Sequence, residues 1–394
     1  MITCLQKKMK HQEEKASLCA LGRIFGFEPK IALALIANLG SAENVFSLDA
    51  KELDRLTGPY FKYKGQICPQ AVEQAAEELF RLERQGIRFC GYTEDAYPPL
   101  LKECEDAPAG LYIRSISPIK DLWKDSISIV GTRDISPYGR EWCSRIVDAA
   151  AGTPERPLIV SGLALGTDIE AHRTALDRGL PTIGVMATGP ESIYPVRNRD
   201  TAERMAATPG CALLTDYPPG TAPLAIHFLR RNRIIAGLSR STILVESKIK
   251  GGGMATCRLA FSYNRDVYAL PGRIDDLRSQ GCNCLIREKI AEPITSVDTL
   301  MSSLGLKAVS RRNRTSFLEI LTGCYSKTLP ADKIGMMNDI LQLIRSERGI
   351  TLEEISRKTG LGYGQISEMT GMLEIEGFIC IDLLQRCSIN YKNV

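Results

Sequence analysis

Between residues 126 and 300 the chain repeats one pattern: a short apolar run, then a turn rich in glycine. "SISIV" runs into Gly131 and "PLIVSG" closes on Gly162; "PTIGVMATG", "CALLTDY", "STILVES" and "RDVYALPG" follow. Helical segments such as "IEAHRTALDRG" and "GMATCRLAFSYN" lie between several of these runs. Strands that are apolar nearly throughout, alternating with helices, build a parallel sheet covered on both faces. The pattern predicts a Rossmann-like, doubly wound, mostly parallel α/β domain over residues 86–301.

The flanks carry other patterns. Residues 1–85 read as short helices: "KIALALIANLG" ends in Gly40, a candidate C-cap, and Ser41 and Asp49 are candidate N-caps. They predict a small bundle of the SAM-like or helix–hairpin–helix kind, a module that either packs or grips DNA backbone. Residues 86–115 connect it to the sheet, with Pro98 and Pro99 stopping one element and "GLYIR" reading as a strand. Weak patterning and a basic bias over 302–334 predict a linker. Residues 335–394 give helix, turn, helix, turn, helix and two short strands, with Thr351 and Glu354 spaced as a capping box, and so predict a winged helix. Its third helix, "GYGQISEMTGMLEIEG", is acidic, which suits a protein partner better than a major groove.

Composition narrows the field. The 394 residues are 44% hydrophobic and 24% charged, an ordinary globular balance, and the net charge of +4 allows a local basic patch but no basic carpet. The 13 cysteines form no C-x-x-C pair, and Cys282 and Cys284 are too close for the usual zinc knuckle. With only His11, His172 and His227 besides, no metal site is expected. The start "MITCLQKKMKHQEEK" lacks a secretory apolar region, and no run of about 18 apolar residues could cross a bilayer. Reduced thiols and a cytoplasmic location are the expectation.

Chemistry is expected beyond the carboxyl ends of the strands, where open parallel sheets bind ligands. "SISIV" leads to Gly131-Thr132-Arg133, "LIVSG" to "LALGTDIEAH", "GVMATG" towards "YPVRN", and "ILVES" to "KIKGGGMAT". Glycine lets a backbone approach a ligand, and a helix N-terminus offers free N–H groups and the positive end of its dipole. Arg133, Lys248 and Lys250 add charge, as does "FLRRNRIIAGLS" with Arg230, Arg231, Asn232 and Arg233. Together these predict phosphate or nucleic-acid binding. The dinucleotide fingerprint G-x-G-x-x-G does not follow the first strand, and the P-loop motif is absent. Ser161 lacks the G-x-S-x-G context of a hydrolase nucleophile, His172 reads as a packing or capping residue, and Asp168 suits the first turn of a helix through the dipole. Asn232 is a candidate cap for the helix "RIIAGLS", and one of the arginines has Glu246 as a possible internal partner.

"SIVGTRDISPYG", "IVSGLALGTDIEAHRTAL", "TGPESIYPVRN", "FLRRNRIIAGLS", "KIKGGGMATCRLAFSYNRDVYALPG" and "QGCNCLI" occur in the order and spacing of the DprA/Smf family, the DNA-processing proteins of bacterial transformation. The chain resembles that family over roughly residues 90–290, and more loosely at both ends. The resemblance implies a non-catalytic, cofactor-free cytoplasmic protein. Such a protein binds and protects single-stranded DNA, loads a RecA-type recombinase past single-strand binding protein, and forms a homodimer through the α/β domain. It implies a DNA site made of Gly131, Thr132, Arg133, Ser161, Gly162, Phe228, Arg231, Asn232, Arg233, Gly251, Gly252 and Gly253; Arg230 and Lys250 join it on their charge, and two of the three clustered arginines are expected on DNA. Thr167, His227, Leu229 and Met254 depart from the family's commoner residues. Two other readings remain. A nucleotide phosphoribohydrolase on a related fold would need P-G-G-x-G-T-x-x-E, which "SGLALGTDIEAH" and "GGGMAT" do not complete. A winged-helix transcription regulator is opposed by the acidic third helix.

Overall fold

The computed structural model describes residues 2–306, 317–326, 328–347 and 349–390, with side chains from residue 11. Its contacts fall into two compact units, Met1–Ala308 and Val309–Val394.

The first unit opens with α1 (Ile2–Phe25), α2 (Pro29–Leu39), α3 (Ala42–Phe46), α4 (Ala50–Thr57) and α5 (Pro69–Glu83). The caps read from the sequence are in place. Gly40 closes α2 at φ 82°, a conformation that favours glycine. Ser41 Oγ accepts from Asn44 N at 3.2 Å, and Asp49 with Glu52 forms a reciprocal capping box on α4. Glu14 of α1 adds a cap from outside α3, accepting from Ala42 N and Glu43 N at 3.1 and 3.0 Å.

These helices do not close a core by themselves. Leu18, Leu21, Phe25, Leu35, Val45 and Leu82 share one buried cluster with Ile87 and Phe89 of β1 (Ile87–Gly91). After α6 (Pro99–Lys102), Tyr112 of β2 (Gly110–Arg114) joins the same cluster. The stretch expected to connect the bundle to the sheet with one strand therefore contributes two. β1 and β2 pair antiparallel, from Ile87 opposite Arg114 to Gly91 opposite Gly110. "IRFCG" does not read as a strand in the sequence because its apolar residues serve two cores: Ile87 and Phe89 face the helices, while Cys90 faces the sheet's own core.

The main sheet continues with β3 (Ser126–Val130), α7 (Pro137–Ala151), β4 (Leu158–Gly162), α8 (Thr167–Asp177), β5 (Thr182–Val185), α9 (Arg199–Ala206), β6 (Ala212–Thr215) and α10 (Ala225–Gly237). β7 (Ser241–Leu244), α11 (Gly252–Ser262), β8 (Asp266–Ala269), α12 (Gln280–Arg287), β9 (Glu292–Pro293) and α13 (Val297–Ser303) complete the unit. The strand order is β1-β2-β6-β5-β4-β3-β7-β8-β9, and all neighbours from β6 to β9 run parallel. This is the Rossmann-like α/β sheet expected, with an antiparallel edge at β1 and β2. The order reverses between β3 and β7, so the loops after these two strands flank the switch point where such sheets bind ligands.

Alternation along the strands sends side chains to two layers. Ile127, Ile129, Ile159, Ile243 and Val245 pack with Cys143, Ile146 and Val147 of α7 and Ala171 and Ala175 of α8. Val130, Val160, Ile183, Leu244 and Val267 pack on the other face with Ile234, Ile235, Met254 and Cys257. The two serines of "SISIV" point towards α10. Ser126 Oγ donates to Leu238 O and Ser128 Oγ to Ile235 O, each at 2.7 Å. Their hydroxyls thus satisfy carbonyls at the end of α10, and burial costs little.

The second unit holds α14 (Phe317–Tyr325), α15 (Ala331–Ser346), β10 (Ile350–Thr351), α16 (Leu352–Thr359), α17 (Tyr363–Ile375), β11 (Ile379–Ile381) and β12 (Arg386–Ile389). The strands form a three-stranded sheet ordered β10-β12-β11. Thr351 and Glu354 make the capping box that their spacing suggested. Part of the expected linker, 307–316, lies outside the described residues, but its second half differs from the expectation. Phe317, Leu321 and Tyr325 recur every four residues, so α14 has one apolar stripe, and that stripe is buried with Met337, Ile340 and Leu373. The basic residues before it mask the short period. Leu321→Ala should cost about 2–5 kcal/mol, as for other buried leucines. Its measurement is the unfolding transition of the second unit, and an unchanged transition would return α14 to linker status.

Candidate nucleic-acid interface

Three loops meet at the switch point because small residues let them approach. A Cβ on Gly253, in the first turn of α11, would stand 2.7 Å from Leu244 Cδ1 and 3.3 Å from Gly131 Cα. Only glycine lets that helix N-terminus seat against the end of β3. α11 has no side-chain cap hydrogen bond at Gly251, so its first-turn N–H groups are not satisfied by a capping side chain. Thr132 O accepts from Thr167 N at 3.1 Å and from Thr167 Oγ1 at 3.3 Å, tying the loop after β3 to the start of α8. The hydroxyl at Thr167 is thus used. Glu246, just beyond β7, accepts from Ser136 N at 2.9 Å and also from Ser136 Oγ, while Ser136 Oγ accepts from Gly139 N at 3.0 Å. A carboxylate is well placed there, beside the N-terminus of α7. It caps a helix and does not pair with any of the clustered arginines.

On this base stands an exposed cluster. The Arg133 guanidinium carbon lies 5.0 Å from the centroid of the Phe228 ring, and Tyr194 packs edge-on to Phe228 at 5.7 Å. Arg133 is exposed, Phe228 is half-buried, and Tyr194 is 45% exposed. Lys248 and Lys250 are exposed on the loop after β7. Among the described residues Arg133, Lys248 and Lys250 form no ion pair, so their charge is available to an anion. Sequence reasoning does not single out Tyr194 as a site residue. Its signal lies in "YPVRN", on the loop that follows the third parallel strand.

The arginine segment behaves differently from the expectation. Residues 225–237 form one helix, so Asn232 is mid-helix and caps nothing; its Nδ2 donates to Gly252 O at 3.4 Å. Arg231 and Arg233 are 4% and 6% exposed. Arg231 Nη1 donates to Val185 O, and its guanidinium lies with the Asp168 carboxylate against Gly162; a Cβ on Gly162 would stand 2.5 Å from Asp168 Oδ2. Arg233 donates to Asp106 O at 2.6 Å and pairs with Asp216. The expectation that two of the three arginines face phosphate is corrected: Arg231 and Arg233 lie on the buried stripe of α10 with Ile234 and Ile235. Arg230 is half-buried and donates to Gly26 O at 2.6 Å. Ser161 is also internal, its hydroxyl donating to Ile129 O at 2.6 Å. Thus Gly131, Thr132, Arg133, Phe228, Lys250, Gly251 and Gly252 come together at the accessible edge, with Gly162 and Gly253 directly beneath.

His172 and Asp168 belong to the support. His172 is fully buried, Nε2 lying 2.6 Å from Gly162 O and Nδ1 2.7 Å from Thr182 Oγ1. Burial pulls its pKa down to about 4, which keeps the ring neutral near neutral pH. Burial also lifts the Asp168 carboxyl above its usual value, against the pull of the Arg231 guanidinium.

The fold and edge define a class: a doubly wound α/β protein that presents a cation-backed aromatic ring and an uncapped helix N-terminus at its switch point. Comparison with known proteins makes it specific. The family described as DNA recombination-mediator protein A matches residues 88–305. Protein Smf of Synechocystis sp. is 30% identical over 389 residues, covering 93% of this chain and 96% of that protein. The DNA processing protein DprA of Streptococcus pneumoniae is 38% identical over 210 residues, covering 52% and 72% of the two chains. The X-ray structure of the S. pneumoniae protein superposes with a TM-score of 0.53 at 31% identity, over 66% of this chain and 92% of that one. The chain belongs to the DNA recombination-mediator protein A family, the DprA/Smf proteins.

Two outcomes follow from the buried charges. Arg233→Ala would strand the Asp216 carboxylate and should cost about 3–5 kcal/mol, whereas Arg133→Ala at the exposed edge should stay within about 0.5 kcal/mol; thermal unfolding of both variants checks this. For His172 the folded pKa lies below the unfolded value near 6.5, so the unfolded chain binds the extra proton first. Stability from this residue is full above about pH 6.5 and falls by about 3 kcal/mol as pH drops through about 4. The slope of melting temperature over that window should flatten in His172→Gln; an equal slope in both proteins would assign the loss elsewhere.

Proposed function

We propose that this protein binds and shields single-stranded DNA at the carboxyl edge of its sheet, and helps a RecA-type recombinase load onto that strand past single-strand binding protein. The observation that carries the reading is the Arg133–Phe228–Tyr194 cluster. A half-buried ring backed by a cation, with the exposed Tyr194 ring beside it, offers a flat face to a base, worth about 1–3 kcal/mol per base whatever its identity. A duplex keeps those faces inside its own stack. Arg133, Lys248 and Lys250 supply charge for the backbone, and the N-terminus of α11 supplies N–H donors for phosphate oxygens. Recombinase loading is supported by the family's description as a recombination mediator, and DNA handling by the relatives' names. The site works by holding and releasing a strand, with no metal, nucleotide or catalytic residue required. The second unit is read as a winged helix that contacts a protein partner, and the working form as a cytoplasmic homodimer through the α/β domain. No described helix is long and apolar enough to cross a membrane.

Binding of single- and double-stranded oligonucleotides of equal length, measured by anisotropy across a salt series, tests the reading. Preference for single strands without sequence selectivity is expected; duplex binding as tight or tighter overturns it. Arg133→Ala should lower the slope of log affinity against log salt by about 0.7 for each phosphate that is no longer neutralised. Phe228→Ala should weaken binding by about 1–3 kcal/mol per base released, with the slope unchanged. Affinity should survive chelation without added nucleotide. Release of free base from nucleoside monophosphates would instead favour a phosphoribohydrolase.

A further inference from the structure

The N-terminal helical module presents an aromatic and basic surface that its own core does not use. In the loop between α4 and α5, residues 60–63 alternate outward and inward. Phe61 and Tyr63 turn in against Phe25, with ring centroids 6.1 and 4.8 Å away. Tyr60 and Lys62 turn out; Tyr60 is 98% exposed. The packed pair anchors the backbone that carries the outward pair, beside a shallow cleft of about 490 Å³ lined by Ile31 and residues 57–63.

This surface is joined to the sheet edge by short steps. Lys62 Nζ lies 2.6 Å from Glu28 Oε2. Next to Glu28, the Phe27 ring is half exposed, and the Arg230 guanidinium carbon sits 4.3 Å from its centroid. Arg230 is locked there by its bond to Gly26 O. It stands two residues beyond Phe228 on α10, and His227, beside Phe228, has its ring 5.9 Å from that of Phe27. His227 and Arg230, three apart on α10, thus share the face that meets Phe27, while Phe228, next in sequence to His227, carries Arg133.

We propose that the helical module is a second station for the same single strand, which runs from Phe228 over Phe27 and Arg230 onto Tyr60 and Lys62. The inference rests on the reading of the sheet edge as a single-strand site and extends its length. Flat exposed rings interleaved with cations suit successive bases and phosphates. Glu28 already offsets the charge of Lys62, so stacking on Tyr60 and Phe27 contributes more than phosphate binding here.

The test measures the full chain with oligothymidylates spanning about 4 to 16 nucleotides, the range of common single-strand sites. Tyr60→Ala and Phe27→Ala are compared with Phe228→Ala. Each of the two module variants should bind the longest strand about 5- to 100-fold more weakly, with little change for the shortest, while Phe228→Ala binds more weakly at every length. Tyr60 is fully exposed, so an unchanged melting temperature shows that the weakening comes from the missing ring and not from unfolding. Equal weakening at all lengths, or none at any, in the two module variants overturns this proposal while leaving the edge reading intact. Failure of the wild-type chain to prefer single strands overturns both.

Discussion

Everything at the edge depends on how closely the chain can approach itself where β3 and β7 diverge. Gly131 and Gly253 remove the side chains that would hold α11 off the end of β3, and Thr167 and Glu246 bind neighbouring loops through backbone groups and a helix N-terminus. The result is a rigid floor made mostly of main chain. Rigidity matters because a strand held by a few rings and cations gains affinity only if those groups are already in place.

The buried arginines serve the same end from below. Arg231 and Arg233 are charged groups placed in the interior of α10, a costly position that partners on their Nη atoms offset in part, since Nε of each arginine and Asp216 Oδ1 are buried without a hydrogen-bond partner. Their partners lie on the end of β5, the loop after β6 and the segment before β2. α10 is thereby registered against three separate parts of the chain, and its accessible residues Phe228 and Arg230 inherit that register. The segment richest in arginine acts mainly as a positioning device, and the exposed charge of the site comes from Arg133 and the two lysines after β7.

The helical module is part of this arrangement through a shared core. Its apolar faces close on β1 and β2, which extend the sheet, so the bundle is anchored by hydrophobic burial and by Arg230. A surface on the bundle therefore keeps a constant place relative to the sheet edge, as a binding path across both requires.

The sequence by itself determined the six central strands, several of the helices between them, the caps at Gly40, Ser41, Asp49 and Thr351, and the edge on which a ligand would lie. These follow from local pattern: apolar runs, glycine after each strand, and side chains that bond to backbone a few residues away. It also named Gly131, Arg133, Phe228, Lys250 and the glycine turn, which the fold gathers at that edge because their positions follow from the strand ends. What it could not decide was the partner of each charge. Arg231 and Arg233 look the same in sequence as Arg230, and only the packing of α10 turns two of them inward to Asp168, Asp216 and backbone carbonyls while leaving one at the surface. Tyr194 meets Phe228, and Phe27 meets Arg230, from distant segments, and α14 reveals itself only where its stripe meets α15 and α17. Direction on a buried helix, and contact between remote loops, are set by how the whole interior fills, and no local pattern encodes them.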